Sequence, residues 1–362
     1  MVFYLVLTIL YLFFAFIDTK FNIKFFKNEK TNKIFKIIIL LFPLFLTVAL
    51  RSESVGNDTS MYKHLYEKYG SLGFSKSIIQ TTKEYGYILF CIFFNKLNFN
   101  YPSFQFVVAL ITYYQFGRLL YKHSTNVPLS IFVFICTLGY FRTMNISREM
   151  LAVMIAINSI DYLQDNNKTK FIIRVLLASM IHRSALIMLA LLLYRKILSL
   201  GAFKKIIAIL LIVTSYFSVD IFLKFASNFF GRYEYLIDSK YTNNNGFLAM
   251  GALLLFTLLF LYIENVPNNN MLEKPNKSLD NRNIIIKFSY YLCLLFSIIG
   301  LRFGLADRVV IYFSTFFTES ICKSKNSYII VKLSIIIGLL VYFILVMIYR
   351  NNWQGTIPYT WN

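Results

Sequence analysis

The chain has 362 residues, 57% of them hydrophobic and only 15% charged, with 37 Lys+Arg against 17 Asp+Glu and a formal net charge of +20. A soluble basic protein that binds nucleic acid normally carries about 25% charged residues, so this chain is too apolar for that class. A mean hydropathy of +0.59, with 38 Phe and 26 Tyr, fits a protein dissolved in lipid and excludes soluble-enzyme, disordered, collagen-like and disulfide-scaffold classes.

The first apolar run, Val2 to Ile17, starts without a basic leader region and lacks a small-residue cleavage site, so it reads as a retained span. Taking about 20 apolar residues as one crossing, fewer where flanking residues snorkel, spans are expected near 2–17, 36–50, 103–117, 127–141, 149–163, 169–182, 184–199, 204–218, 246–263, 286–301, 308–321 and 327–348. The predicted fold is all-α: a polytopic integral membrane protein with about twelve transmembrane helices. It carries one short re-entrant or peripheral helix near 85–95, and residues 1–362 form a single transmembrane domain. Residues 51–101 are expected as an outward-facing loop with that short helix, and 264–285 as a flexible cytoplasmic loop rich in Asn and Lys.

Loop charge decides the orientation. With 85–95 not crossing and 18–36 inside, 22 of the 37 basic residues fall on the cytoplasmic side, among them Lys20, Lys24, Lys27, Lys30, Lys33, Lys36, Lys122, Lys168 and Lys170. That is the bias that sets membrane orientation, and it puts both ends of the chain outside. Cys91, Cys136, Cys293 and Cys322 are scattered in apolar runs, and His64, His123 and His182 are far apart. No metal or other cofactor is expected.

The basic residues that orientation does not explain lie on the other side. Arg51, Arg142, Arg148, His182, Arg183, Arg302 and Arg308 fall in four short breaks at outer helix ends. A charge at membrane depth costs about 2.5–3.5 kcal/mol on insertion scales and is usually paired or functional. Arg presents a fixed fork of donors that pairs with phosphate. Several converging arginines therefore suit a diphosphate, and Arg51, Arg142, Arg148, Arg302 and Arg308 are the candidate ligands. Acids on the same side are Glu53, Asp58, Glu67, Glu84, Glu149 and Asp307, some of which must pair with the arginines. The candidate bases are Asp58, His182 and Glu84. Tyr62, Tyr66, Tyr85, Tyr87 and Tyr101 offer faces and hydroxyls to a sugar, or else form an ordinary interfacial belt.

The stretch Arg51-Ser-Glu-Ser-Val-Gly56-Asn57-Asp58-Thr-Ser-Met-Tyr62 resembles the signature of the EpsG family of membrane proteins, Wzy-type polymerases of bacterial surface polysaccharides. Further elements resemble that family in chain order. They are Glu84-Tyr85-Gly86-Tyr87, Arg142 with Arg148-Glu149-Met150-Leu151-Ala152, His182-Arg183-Ser184-Ala185, and Arg308 with Tyr312-Phe313. Asn57 departs from the commoner Thr or Tyr, and Glu149 stands where Gln or another polar residue is frequent. An acid there is expected to tie up Arg148 in an ion pair.

The resemblance implies a glycosyltransferase in the bacterial cytoplasmic membrane with its site facing outward. It would pass a growing glycan from an undecaprenyl-diphosphate-linked oligosaccharide to a lipid-linked repeat unit of a capsule, O-antigen or exopolysaccharide. Tyr62, Tyr85, Tyr87 and Tyr312 would face the glycan. The implied partners are that lipid-linked substrate, the bilayer, and other polysaccharide assembly and chain-length proteins, with no nucleic acid. A flippase or transporter of lipid-linked oligosaccharide would place charges near mid-span and show internal repeats, neither of which is seen. An O-antigen ligase-like transferase would share the arginine and histidine logic.

Overall fold

The computed structural model describes residues 1–21, 23–80, 84–199, 214, 247–265, 277–323, 329–349 and 353–361. Among the described residues all regular structure is helical, and extended pairing is limited to an isolated antiparallel bridge between Arg51 and Trp361. The chain divides into two compact units: Met1–Tyr162, Asn167–Leu186 and Phe317–Asn362 form the first, Leu163–Asn166 and Ile187–Phe316 the second.

In the first unit the elements are α1 (Val2–Phe21), α2 (Glu29–Ala49), α3 (Thr59–Gln80), α4 (Tyr85–Lys96), α5 (Tyr101–His123), α6 (Val127–Cys136), α7 (Gly139–Asn145), α8 (Ser147–Ile157), α9 (Ile160–Gln164, which runs on into the second unit) and α10 (Lys168–Ile181). Asparagine starts four of them. Asn28, Asn100, Asn126 and Asn167 each accept a hydrogen bond from a first-turn amide, at 2.9, 3.0, 2.9 and 3.1 Å. Such a cap is worth about 1 kcal/mol, and it satisfies donors that the helix leaves unpaired. Pro102 and Pro128 stand in the first turns of α5 and α6, where a missing N–H costs nothing.

All ten residues of α6 are buried. Around it pack α1, α2, α15 (Phe317–Lys323) and α16 (Ile329–Tyr349). The outer helices turn a narrow stripe inward, Tyr4, Thr8, Tyr11 and Ala15 on α1 and Ile335, Leu339, Phe343 and Met347 on α16. Their other faces expose Phe3, Ile9, Leu10 and Phe13, and Leu333, Ile337, Val341 and Leu345. Apolar side chains facing outward along a whole helix are matched by hydrocarbon, not by water.

The second unit contains α11 (Tyr194–Leu198), α12 (Phe247–Asn265), α13 (Lys277–Gly300) and α14 (Asp307–Ser314), preceded by a 3-10 stretch over Arg183–Leu193 that begins in the first unit. In it, Asn281 donates to the carbonyls of Leu163 and Gln164 at 3.3 and 2.6 Å and accepts from Tyr194 Oη at 2.5 Å.

Four helical segments, Val2–Phe21, Glu29–Ala49, Asn281–Gly300 and Ile329–Tyr349, are long and apolar enough to cross a bilayer. The pair α6–α7, bent by 62°, makes a fifth if taken as one span. The remaining expected spans are shorter or more polar. The 149–163 span is two helices, α8 and α9, and 308–321 is likewise two, α14 and α15. The 184–199 span is mostly the 3-10 stretch, and 204–218 lies outside the described residues except Thr214. The short helix near 85–95 is present as α4, twelve residues that rise about 18 Å at 1.5 Å each, well under a 30 Å core. The 22-residue α3, broken at Gly73 (φ 70°), replaces what was expected as loop; its polar composition, with only tyrosines on its buried face, hides it from a hydropathy reading. Of the expected 264–285 loop, the described residues 264–265 and 277–285 are helical.

Contacts within the first unit define two ends. At one, Tyr4 Oη donates to Thr356 O at 3.0 Å, Tyr101 Oη donates to Thr59 O at 3.2 Å, and Arg51 bridges Trp361. At the other, Lys36 pairs with Asp18 at 2.5 Å, Asn126 Nδ2 donates to Thr19 Oγ1 at 2.8 Å, and Asp161 meets Lys122 and His123 at 2.5 and 2.9 Å. Lys36 and Lys122, two of the lysines that loop charge groups together, lie at this second end. Both ends of the 59–101 stretch return to the first.

Cysteines introduced at Asn57 and Trp361 will therefore react with a membrane-impermeant maleimide from one side, and one at Asn28 from the other; shared reactivity of all three in sealed vesicles would contradict the two-ended arrangement. At the crossing of α4 and α10, a Cβ on Gly86 would lie 2.7 Å from Met180 Cβ and 3.0 Å from its carbonyl carbon. Gly86→Val is expected to destabilise the unit by about 1–3 kcal/mol, the usual cost of overpacking, read as a lower unfolding temperature in detergent.

Candidate active site

Three helix ends meet at the first end of this unit. Glu84 precedes α4, Arg148 and Glu149 lie in the first turn of α8, and His182 terminates α10 with its backbone turned to an extended conformation (φ −149°, ψ 122°). Arg148 Nη1 is 2.6 Å from Glu84 Oε2, and His182 Nδ1 is 2.9 Å from Glu84 Oε1. The other ring nitrogen, Nε2, faces Glu149 Oε1 at 3.6 Å, and that oxygen accepts a hydrogen bond from Ser184 Oγ at 3.1 Å. The amide of Arg183 donates to Glu84 Oε1 at 3.3 Å. Glu84 and Glu149 are 6% and 1% exposed. Two acids at such depth need compensation, because removing one partner of a buried pair costs about 3–5 kcal/mol.

The rings of Tyr87 and Tyr62 frame the Arg148 guanidinium, with centroids 5.1 and 5.6 Å away. Tyr87 leans in turn on Tyr69 and Phe104. Arg148 is thus held by one carboxylate and two aromatic faces. Burial works against ionisation of Glu84, but the hydrogen bond from His182 and the charge of Arg148 outweigh it, so the carboxyl sits below its ordinary value. Glu84 is therefore an acceptor for the His182 Nδ1–H at neutral pH. The ring of His182 thus stands between two carboxylates, Glu84 at Nδ1 and Glu149 at Nε2.

Of the residues singled out in the sequence, the structure brings Glu84, Arg148, His182, Tyr62 and Tyr87 together. Asp58 is half-buried beside them, its amide donating to Asn145 Oδ1 at 3.0 Å, three residues before Arg148. Arg51 is 1% exposed, with its guanidinium donating back to the Val48 carbonyl and its own carbonyl accepting from Gln105 Nε2 at 2.8 Å. Arg142 is buried within α7. Tyr66 and Tyr101 are buried near α3 and α5, Tyr85 is exposed, Glu67 is exposed, and Glu53 forms a surface pair with Lys63 at 2.7 Å. Arg302, Asp307 and Arg308 belong to the second unit, where they are half-buried, and Tyr312 is buried there in α14.

The expected pairing of Arg148 with its neighbour is corrected. Adjacent positions on a helix point apart, so Arg148 reaches across to Glu84 while Glu149 turns to His182 and Ser184. Ser184 and Asn145 carried no assigned role in the sequence. Ser184 directly follows His182-Arg183 and Asn145 lies between Arg142 and Arg148, and that proximity to the singled-out residues is the one signal that could have drawn attention to them.

The EpsG family model matches residues 33–361, a stretch that includes every member of this cluster. No curated protein and no solved structure matches the chain. With the match running over nearly its whole length, and with apolar helices facing outward from its core, the chain is a membrane protein that belongs to the EpsG family, a family associated with polysaccharide polymerisation.

Proposed function

We infer that this chain polymerises a bacterial surface polysaccharide at the outer side of the cytoplasmic membrane. A growing glycan passes from an undecaprenyl-diphosphate-linked donor to a lipid-linked repeat unit. The observation that carries the reading is the Glu84–His182 pair braced by Arg148, at the end of the helical unit opposite its lysine-rich end.

His182 serves as the base. Glu84 holds Nδ1–H and fixes the ring, as the carboxylate does in a catalytic triad. Nε2 takes the proton of the acceptor hydroxyl as its oxygen bonds to the anomeric carbon of the donor. The bond from that carbon to the phosphate oxygen breaks, and undecaprenyl diphosphate leaves with the electron pair. Arg148, charged at every working pH, keeps Glu84 ionised and gives the developing diphosphate charge a fixed positive field. Asp58 and Tyr85, the more accessible residues at this end, line the approach of the sugars. The lysine-rich end faces the cytoplasm, as inward positive charge requires.

His182→Ala and Glu84→Gln should each reduce the surface glycan to single repeat units at unchanged protein level in the membrane. Glu84→Gln keeps a weak acceptor and is expected to retain a residual activity of about 1% or less, by analogy with the loss on breaking a triad's carboxylate. Full-length glycan from either variant would remove His182 from the role.

The depressed carboxyl also fixes a pH dependence. A group whose folded pKa is lowered contributes stability that is complete above its ordinary value, here 4.5, and is lost as pH falls through the folded value. The stability difference between the native chain and Glu84→Gln should therefore hold from about pH 7 down to that range and then fade. Replacing Arg148 by Met should move the fade to higher pH. Thermal unfolding in detergent across the series measures it, and a difference independent of pH would mean that Glu84 is not ionised in the fold.

A further inference from the structure

We propose that the segment 353–361 is a positioning strap that sets the loop 51–58, and through it the junction of α7 and α8 from which Arg148 projects. The strap's kinetic consequence rests on the polymerase reading; its geometry does not.

The loop has little regular structure of its own, and three of its amides are spent on the strap. Ser52 N donates to Thr360 O at 2.9 Å, Gly56 N to Gly355 O at 2.8 Å, and Asn57 N to Gln354 O at 3.1 Å. Arg51 and Trp361 form the antiparallel bridge, and the hydroxyls of Ser52, Ser54 and Thr360 are in mutual contact. The strap is itself tied down: Tyr359 Oη donates to Thr47 O at 2.8 Å and Tyr4 Oη to Thr356 O at 3.0 Å. Its Pro358, Thr360 and Trp361 are exposed.

Two glycines fix the register. Gly355 has φ +69°, and a Cβ there would lie 2.3 Å from Asn57 Oδ1 and 2.9 Å from Asn57 N. Gly56 has φ +93°, and a Cβ there would lie 2.5 Å from Met144 O and 3.0 Å from Asn145 Cα. L-residues are strained at these angles whatever the space around them. The loop is therefore clamped, strap on one side and the end of α7 on the other, with Asp58 N donating to Asn145 Oδ1. Three residues after Asn145 comes Arg148, the partner of Glu84. Displacing Gly355 displaces Asn57 and Asp58 first, then the backbone that aims Arg148. Gly355 acts through these residues and touches no substrate.

The test uses the full chain in lipid nanodiscs. Its substrate is the lipid-linked repeat units extracted from a strain that lacks the protein. Gly355→Val is expected to lower kcat/KM for that material about tenfold per folded molecule. Against the single variant Gly355→Ala, the double variant Gly355→Ala/Asn57→Ala should recover part of the loss, because it removes the side-chain oxygen that the new Cβ would strike and leaves the backbone contact and the strained φ. A fall in kcat alone, in proportion to the amount of folded protein, would reduce the strap to a structural element and overturn the proposal. Independently of activity, Ser52→Cys/Thr360→Cys should form a disulfide under mild oxidation, and the linked protein should elongate as the reduced one does. Failure to link would overturn the strap itself. Failure of the native chain to elongate the extract while the cysteines link would instead count against the polymerase reading.

Discussion

A carboxylate at 6% exposure, at the edge of a chain built largely of hydrocarbon, is stable only if charge and hydrogen bonds reach it from other parts of the fold. Glu84 receives them from two directions: a guanidinium from the start of α8 and an imidazole from the end of α10. Those helices lie far from α4 in sequence, so the pairing couples three distant segments at one point. The surrounding structure follows from that need. The close crossing of α4 and α10 at Gly86 brings His182 within reach, and the tyrosine faces hold Arg148 in line.

The same pairing links stability to chemistry. An acid kept ionised by Arg148 can orient a histidine, whose second nitrogen faces Glu149. Neither partner could do this alone at such burial, because an uncompensated acid there would take up a proton and become a donor itself. The loop 51–58 and the strap 353–361 belong to the same system, since their hydrogen bonds run to the residues just before Arg148.

Much of the fold was legible in the residues. The apolar runs of α1, α2, α13 and α16 are read directly, and Asn before Pro or before a run marks where helices begin. What escaped was decided by contacts. Helix α3 buries a stripe of tyrosines, Tyr62, Tyr66 and Tyr69, against α4 and α5 within an otherwise polar stretch, which a hydropathy window misses. The bend of 62° between α6 and α7 follows from Leu138 in a left-handed conformation, which a hydropathy window does not register. In the site, the arginines could be listed but not ranked. Arg148 meets a carboxylate, whereas Arg51, from the most recognisable motif, turns back on its own helix.

The sequence by itself determined that this is a helical membrane protein and which family it belongs to, because hydrophobic run length and motif order are one-dimensional properties. Only the tertiary structure decided that Glu84 and not Glu149 pairs with Arg148, that His182 stands between the two acids, and that the residues at 353–361 close over the loop at 51–58. Those are distances between positions as much as 300 residues apart, and they depend on how helices cross and where glycines let backbones approach.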